Sequence, residues 1–232
     1  MAIAFSNAAS NALKKVSSIT VTINTAANDT IIVCVHINDV TTTVSSVSDT
    51  IGNKYADRGV IPSSGIGGNR SVIWVAPKST GSNAANVVTV SLSASTNVVV
   101  SVATYTGVVT IGPASGTSGT GTSAIVSVTT QNANDWVVVG VGTQGVGTIS
   151  AGASTTQETS ASTSGGGAAS NIAGDECDSG AVGSPASTTL TITISASQPW
   201  AAVAVLLSTA LVFTSSLTAL ITGAGLRCRD SV

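Results

Sequence analysis

Residues 19–37 read ITVTINTAANDTIIVCVHI, and this stretch contains the two patterns that decide the fold. Its first five residues alternate isoleucine or valine with threonine, which is the period of a strand with one buried face. After a turn-like Ala-Ala-Asn-Asp, residues 31–37 form an almost continuous apolar run, typical of a strand buried on both faces. The stretch therefore predicts two consecutive β-strands.

The same patterns recur along the rest of the chain. Stretches rich in Gly, Ser, Thr and Asn, such as 112–121 and 160–167, predict turns and loops. Residues 8–16 could form a short helix, and residues 143–187 predict an elaborated loop or a set of short edge strands. Further strands are predicted at residues 71–76, 87–92, 98–105, 124–129, 136–141, 189–195 and 200–207. This spacing predicts an all-β, antiparallel β-sandwich of jelly-roll or Greek-key type, with an additional C-terminal strand.

The length of 232 residues allows one large β domain or two small ones. The two halves share only a loose similarity of style, and no clean internal repeat is evident. We therefore expect one domain over residues 1–207, with a possible subdomain division near residue 112. Residues 208–232 are expected to be a C-terminal extension.

Charged residues make up only 8% of the chain, and the net charge is −2. No basic run exceeds the pair Lys14–Lys15, so nucleic acid is not an expected partner. Residues 1–78 carry six Lys or Arg and four Asp, whereas residues 79–226 carry no Lys or Arg and five acids. Opposite ends of the molecule could therefore attract each other in head-to-tail stacking, and an ordinary solvated surface is the alternative.

The three cysteines, Cys34, Cys177 and Cys228, have no metal-like spacing and are interpreted as free thiols. The first residues lack the charge order of a secretory signal, which predicts synthesis in a cytoplasm without cleavage. Residues 200–221 are uncharged and long enough for a membrane span. Their alternating apolar residues and interspersed Ser and Thr instead favour a pair of strands.

His36 is the only histidine, and Cys34 lies two residues before it on the same face of the predicted strand. Such a pair could begin a metal site, but no further ligand cluster accompanies it. An apolar strand is also a poor place for an exposed catalytic base. We predict that both residues pack in the protein interior, and the sequence indicates no catalytic residues and no cofactor.

Asp175, Glu176 and Asp178 form the one acidic cluster, with Gly174 and Gly180 beside them. Carboxylate oxygens in such a segment could hold a hard cation such as Ca²⁺. A solvated loop is the competing interpretation, so no metal site is assigned beyond this weak calcium candidate.

Residues 47–55 read VSDTIGNKY, a pattern typical of a tight reversal. Asp49 and Asn53 can cap the turn with their side chains, Gly52 can adopt positive φ, and Tyr55 can return to pack on it. This stretch indicates hairpin chemistry and not catalysis.

A series of short motifs runs in order along residues 1–207. They are Met1-Ala-Ile-Ala-Phe5, residues 30–38 and 48–55, the Trp-containing strand at 71–76, Tyr105-Thr106-Gly107, Asn134-Asp135-Trp136 and Pro199-Trp200. Their order resembles a family of β-sandwich domains found in tailed-phage virion proteins and bacterial surface proteins. The resemblance implies a virion-surface or extracellular β-sandwich with a structural role, and it implies no catalytic residues.

These observations predict a non-enzymatic structural protein of a virus particle surface, such as a capsid decoration, cement or fibre subunit. Its partners would be copies of itself, in a homo-oligomer, and a capsid or filament protein. Two alternatives are a subunit of a cellular extracellular filament or pilus, and a carbohydrate-binding or adhesin module on a cell surface.

The C-terminal extension is predicted to be an assembly strand. Its apolar residues share one parity and its Ser and Thr residues the other, which is the pattern of a strand with one apolar face. Such a strand needs a sheet to join, either its own sandwich or an open edge on a neighbouring copy. The predicted assembly residues are Leu211, Phe213, Leu217, Ala219 and Ile221.

Overall fold

The computed structural model describes residues 1–62, 68–145, 147–164, 171–183 and 185–209. All regular structure in these ranges is antiparallel β, in two six-stranded sheets packed together, so the predicted antiparallel β-sandwich is confirmed. The strands are β1 (Ala4–Ala27), β2 (Thr30–Ile37), β3 (Val44–Asp49), β4 (Ala56–Pro62), β5 (Arg70–Ala76), β6 (Thr80–Thr106), β7 (Thr110–Thr129), β8 (Trp136–Gln144), β9 (Ile149–Ala151), β10 (Thr156–Ser162), β11 (Ile172–Asp178) and β12 (Ser187–Ser208).

The two sheets have the same topology, and each is built from one half of the chain. The first has the order β1-β6-β2-β5-β4 with β3 also paired to β6, and the second has the order β7-β12-β8-β11-β10 with β9 also paired to β12. Each strand of the first half thus corresponds to the strand six places later. The junction between halves falls at residues 107–109. The expectation that the chain lacks a clean internal repeat was wrong.

Local sequence and hydrogen bonds support this correspondence. Residues 88–95 read VTVSLSAS and residues 190–197 read LTITISAS. In the first half the backbone N–H of Thr43 donates to Ser93 Oγ at 2.9 Å, and in the second half Thr148 donates to Ser195 Oγ at 2.9 Å. The repeat is visible in the sequence mainly at local matches of this kind, because most strand positions require only apolar or hydroxyl side chains of suitable size.

Within each half, the long strands fold back, so that the single sheet of that half packs against itself as a small sandwich. A straight strand of 27 residues, the length of β6, would span roughly 90 Å. Both ends of β6 nevertheless meet the start of β2, because Asn28 donates to the Ser79 carbonyl at 2.8 Å while Thr30 pairs with Tyr105. β6 therefore folds back on itself. The β1/β6 register shifts at residues 13–18 mark this corner, as the shift between Thr193 and Gln198 does in β12.

The apolar side chains form three clusters that match this architecture. The first lies within the first half and includes Val33, Val90 and Val100. The second lies within the second half and includes Val139 and Ile192. The third joins the two halves, since it combines residues of β2, β5 and β6 with residues of β8 and β12. Burial between the halves is therefore part of the core of the molecule.

Contacts between the halves are reciprocal. β4 contacts β7 and β12, and the corresponding strand β10 contacts β1 and β6. Likewise β5 contacts β12 while β11 contacts β6, and β2 meets β8 at the centre. Such exchange of partners is the property of an isologous interface, so the halves are related by a pseudo-two-fold axis that passes between β2 and β8.

Some sequence predictions differ from the structure. Residues 8–16, considered as a short helix, belong to β1, and residues 112–121, predicted as turns, belong to β7. Both stretches pair along their length with β6 or β12, and this pairing overrides their Ala-rich or Gly-rich composition. Residues 143–187 contain the short strands β9 to β11, one of the two expectations, but β11 is not an edge strand because it pairs with both β10 and β8. No helix in the described ranges is long and apolar enough to cross a membrane.

An Asn-Asp pair precedes the central strand of each half. Asn28 and Asn134 adopt positive φ, at 69° and 66°, and the aspartate that follows each is buried. Asp135 accepts hydrogen bonds from the backbone N–H groups of Gln131 at 2.9 Å and Asn132 at 2.8 Å. Each aspartate carboxylate therefore closes the loop that leads into the central strand.

We predict that Asp135→Ala lowers the free energy of unfolding by about 2–3 kcal/mol, because two backbone donors lose their partner. Asp29→Ala is the matched variant, and it should cost about half as much, since Asp29 Oδ2 accepts one such bond, from Ala26. Urea denaturation of the two variants measures this difference. Equal losses would contradict the role assigned to these carboxylates.

Candidate functional site

His36 and Cys34 lie at the centre of the contact between the halves, and both are fully buried. They face glycines of the second half. A Cβ added at Gly140 would lie 2.7 Å from Cys34 Sγ, and one added at Gly142 would lie 2.9 Å from the His36 ring. A Cβ at Gly174 would overlap the same ring. The halves approach this closely because these positions lack side chains.

At this contact, larger residues of the first half face glycines at the corresponding positions of the second half. Tyr105 of β6 pairs with Thr30, and Leu207, at the equivalent position of β12, pairs with Trp136. Thr30 therefore corresponds to Trp136. Cys34 and His36 therefore correspond to Gly140 and Gly142, the glycines that they contact. The pseudo-symmetric interface is asymmetric in volume, which favours the pairing of one half with the other over the pairing of two identical halves.

The chemistry of His36 follows from its burial. Its Nδ1 lies 2.9 Å from Ser71 Oγ, and the Ser71 hydroxyl donates to the Ala201 carbonyl at 2.8 Å. Burial lowers the pKa of His36 to about 3, so the ring is neutral. Burial also raises the pKa of the Cys34 thiol. The predicted packing role of both residues agrees with these positions.

The acidic cluster lies on β11 and not in a loop, so the solvated-loop interpretation was wrong. Successive side chains of a strand point to opposite faces, and the three carboxylates are accordingly divided. Asp175 accepts a hydrogen bond from Gln157 on β10. Glu176 and Asp178 face the other half, where Tyr105 Oη lies 3.3 Å from Glu176 Oε1 and 3.3 Å from Asp178 Oδ2.

The structure thus does not bring the three calcium-candidate carboxylates into one ligand set. Across the ranges that the structure describes, no group of three or more His, Cys, Asp or Glu side chains is arranged to hold a metal ion. Instead Glu158 of β10 joins Glu176 and Asp178, and this partner of the cluster was not singled out from the sequence. The only feature of the sequence that pointed to Glu158 was its place among the five acids of residues 79–226, a range without Lys or Arg.

Burial governs the ionisation of this cluster. It raises the pKa of Glu176 and of Asp178, and the neighbouring carboxylates raise the pKa of Glu176 further. Burial and then Asp178 raise the pKa of Glu158 to about 7, and burial raises the pKa of Asp175 to about 7. Glu158 and Asp175 therefore bind protons near neutral pH, where ordinary carboxyls are ionised.

The proposed attraction between oppositely charged ends finds no support in the geometry. Four of the five acids between residues 79 and 226 are buried, namely Asp135, Asp175, Glu176 and Asp178. The described surface of the second half is therefore almost without charge rather than acidic.

The turn after β3 has the predicted capping contacts. Asp49 Oδ1 accepts from the backbone N–H of Asn53 at 2.9 Å, its Oδ2 accepts from the Tyr55 hydroxyl at 2.8 Å, and Gly52 has φ +80°. The strands on either side do not form a hairpin, however, because β3 pairs with β6 and β4 with β5.

In each half the first strand, β1 or β7, forms an outer edge of the sheet beyond the corner at which the sheet folds back. The edges of β1 and β7 differ. On β1 the carbonyl oxygens of Thr20 and Asn24 accept side-chain amide hydrogen bonds from Asn11 at 2.9 Å and Asn7 at 3.4 Å. On β7, residues 121–129 pair only with β12 among the described strands, and no hydrogen bond from a described side chain reaches their backbone groups. Ile125 stands on this edge with half of its surface exposed, where the corresponding residue of β1 is Thr20.

A pocket of about 290 Å³ lies beside β9, β10 and β11 in the second half. It is lined by small and hydroxyl-bearing residues, including Ser160, Ser162 and Thr163, and no aromatic side chain is among the described residues that line it. A stacking platform of the kind that favours sugar rings is therefore missing from this pocket.

The predicted assembly residues, Leu211, Phe213, Leu217, Ala219 and Ile221, lie outside the described residues, as does Cys228. Comparisons of the chain with protein-family models, with curated proteins and with solved structures find no match.

We predict that Gly174→Ala lowers the free energy of unfolding by about 1–3 kcal/mol, since the added methyl group overlaps the His36 ring. Gly183→Ala is the matched control, because a Cβ there meets open space. In the background of His36→Ala the cost of Gly174→Ala should become smaller, as expected for residues in contact. Urea denaturation of the four variants tests this, and additive losses would exclude the contact.

Proposed function

We propose that this protein is a non-enzymatic structural subunit that assembles with copies of itself through strand addition to the edge of β7. The observation that carries the proposal is this edge, over residues 121–129. Its backbone groups are uncapped within the described part of the chain, it contains no charged residue, and it exposes Ile125. Natural sheet edges normally carry charges, prolines or covers that prevent such pairing, so an open edge fits a binding surface.

The internal repeat supplies a comparison within the molecule. The corresponding edge on β1 is covered by Asn7 and Asn11 and follows the pair Lys14–Lys15. Both features block strand addition. The two edges derive from the same position of the repeat, and their difference supports β7 as the edge that receives a partner.

The proposed donor is the C-terminal segment of a neighbouring copy. With Leu211, Phe213, Leu217, Ala219 and Ile221 on one side, this segment has one apolar and one hydroxyl face. Strand addition would place the apolar face beside Ala124, Val126 and Val128, which belong to the core of the second half. A return of the segment to the β7 edge of its own chain is the alternative arrangement.

The place of assembly is proposed from the sequence motifs. Their resemblance to β-sandwich domains of tailed-phage virion proteins supports a role on a virus particle surface, as a decoration, cement or fibre subunit. The same double sandwich would suit a cellular filament. Electron microscopy of the native source distinguishes a particle from a filament.

We predict that Ile125→Lys abolishes self-association, because it puts a charge on the edge without removing a core side chain. Thr20→Lys, at the corresponding position of β1, is the matched control and should assemble as the unchanged protein does. Sedimentation velocity at micromolar concentrations measures association, and circular dichroism checks the fold. Normal assembly of the Ile125→Lys variant, or an equal loss in both variants, would contradict the assigned edge.

We predict that truncation after Ser208 yields a soluble, folded monomer that no longer assembles, because the donor strand is removed. Adding a peptide of residues 209–225 to the truncated protein should give a complex that the Ile125→Lys substitution weakens. If the truncated protein unfolds, the segment belongs to the core of its own chain. If it still assembles normally, the segment is dispensable and this part of the proposal fails.

A further inference from the structure

The contact between the halves is polar on one side of the pseudo-two-fold axis and apolar on the other. On the apolar side Leu207 packs in one cluster with Ile73 and Val75. The strand registers make Tyr105 the counterpart of Leu207, and they make Glu176 and Asp178 the counterparts of Ile73 and Val75. One side of an otherwise repeated interface thus contains a tyrosine and two acids.

Two of the acids share a single hydrogen-bond donor at this interface. Tyr105 supplies one hydroxyl proton to two carboxyl groups, each with an oxygen 3.3 Å away. Phe5 and Trp136 pack edge-on against the Tyr105 ring, with centroids at 5.9 Å and 6.0 Å, which excludes water from it. Glu176 is fully buried, and its Oε2 has no hydrogen-bond partner.

The titratable groups that face the cluster from neighbouring strands are themselves acids. Glu158 faces it from β10, Tyr105 from β6 and the Cys34 thiol from β2, while Cys177 lies on the opposite face of β11. No lysine, arginine or histidine contributes to the ionisation of Glu158, Glu176 or Asp178. Ionisation of two of these carboxyls therefore places like charges together in a buried contact.

We propose that Tyr105, Glu158, Glu176 and Asp178 form a proton-binding clamp between the halves, closed when the carboxyl groups are protonated and loosened when they ionise. A protonated Glu176 can donate a hydrogen bond and needs no counter-ion, whereas an ionised one leaves an uncompensated buried charge. The apolar contact of Leu207, Ile73 and Val75 does not titrate, so loosening is confined to one side of the interface.

The direction of the pH effect follows from the proton balance. The folded protein holds protons on these carboxyls above the pH at which the unfolded chain has released them. The clamp's contribution to stability is complete below about pH 4, the ordinary range of carboxyl pKa values. It is lost as pH rises through the raised values, which for Glu158 means about 7.

The two described cysteines provide the test, since both are buried free thiols in different clusters. Cys34 belongs to the contact between the halves, and Cys177 belongs to the core of the second half. Labelling with a methanethiosulfonate reagent, read by peptide mass spectrometry, gives a rate for each. Dividing by the rate in urea-unfolded protein at the same pH corrects for the thiol chemistry.

The proposal predicts that protection of Cys34 falls about tenfold or more between pH 5 and pH 8.5, whereas protection of Cys177 changes little. The double variant Glu176→Gln and Asp178→Asn, which mimics the protonated state, should keep Cys34 protected at both pH values. Asp57→Asn, at an exposed carboxylate of the first half, should behave as the unchanged protein.

Three outcomes would overturn the proposal. Equal loss of protection at both cysteines would mean that the whole molecule opens. A pH response that survives in the double variant would assign it to other groups. Restoration of Cys34 protection at pH 8.5 by millimolar Ca²⁺ would show that the cluster takes a cation rather than protons. The labelled cysteines and the clamp residues lie outside residues 121–129, so failure here leaves the proposed edge of β7 untouched.

Discussion

The close approach of β2 and β8 is the constraint on which the rest of the structure depends. Two sheets normally pack about 10 Å apart, with side chains from both filling the space. Here the second half has no side chains at Gly140, Gly142 and Gly174. The space is filled from the first half only, by Cys34 and His36. The third apolar cluster and the reciprocal strand contacts are arranged around this centre, so the two halves form one molecule with a continuous core.

The two halves repeat one strand topology, and departures from the repeat locate the features with functional interest. Where the halves agree, as at the corners and before the central strands, the shared residues serve the fold. Where they differ, each difference changes the chemistry of a repeated position. Histidine faces glycine, Tyr105 stands where the other half has Leu207, and the open edge at Ile125 corresponds to a covered edge on β1.

The near absence of surface charge in the second half has two consequences. Its acids are mostly buried, so they cannot attract a basic surface, and Glu176 and Asp178 instead lie in the contact between the halves. Its exposed strands carry hydroxyl groups that neither repel nor strongly attract another copy. Association in such a surface depends on backbone hydrogen bonds and a few apolar side chains, which are the groups present along the edge of β7.

Much of the secondary structure is determined by the sequence itself, because alternation of apolar and hydroxyl residues specifies strands whatever their partners are. Residues 19–37 show this, as does the burial of Cys34 and His36 in an apolar run. The strand at residues 112–121 was hidden, since glycine and serine adopt it only when β12 pairs with them. Only the tertiary structure decided that the two halves repeat, that Glu158 joins Glu176 and Asp178 while Asp175 points away, and that glycines face His36. Those facts depend on register and on which strands meet across sheets, and contacts between residues far apart in sequence leave no local pattern.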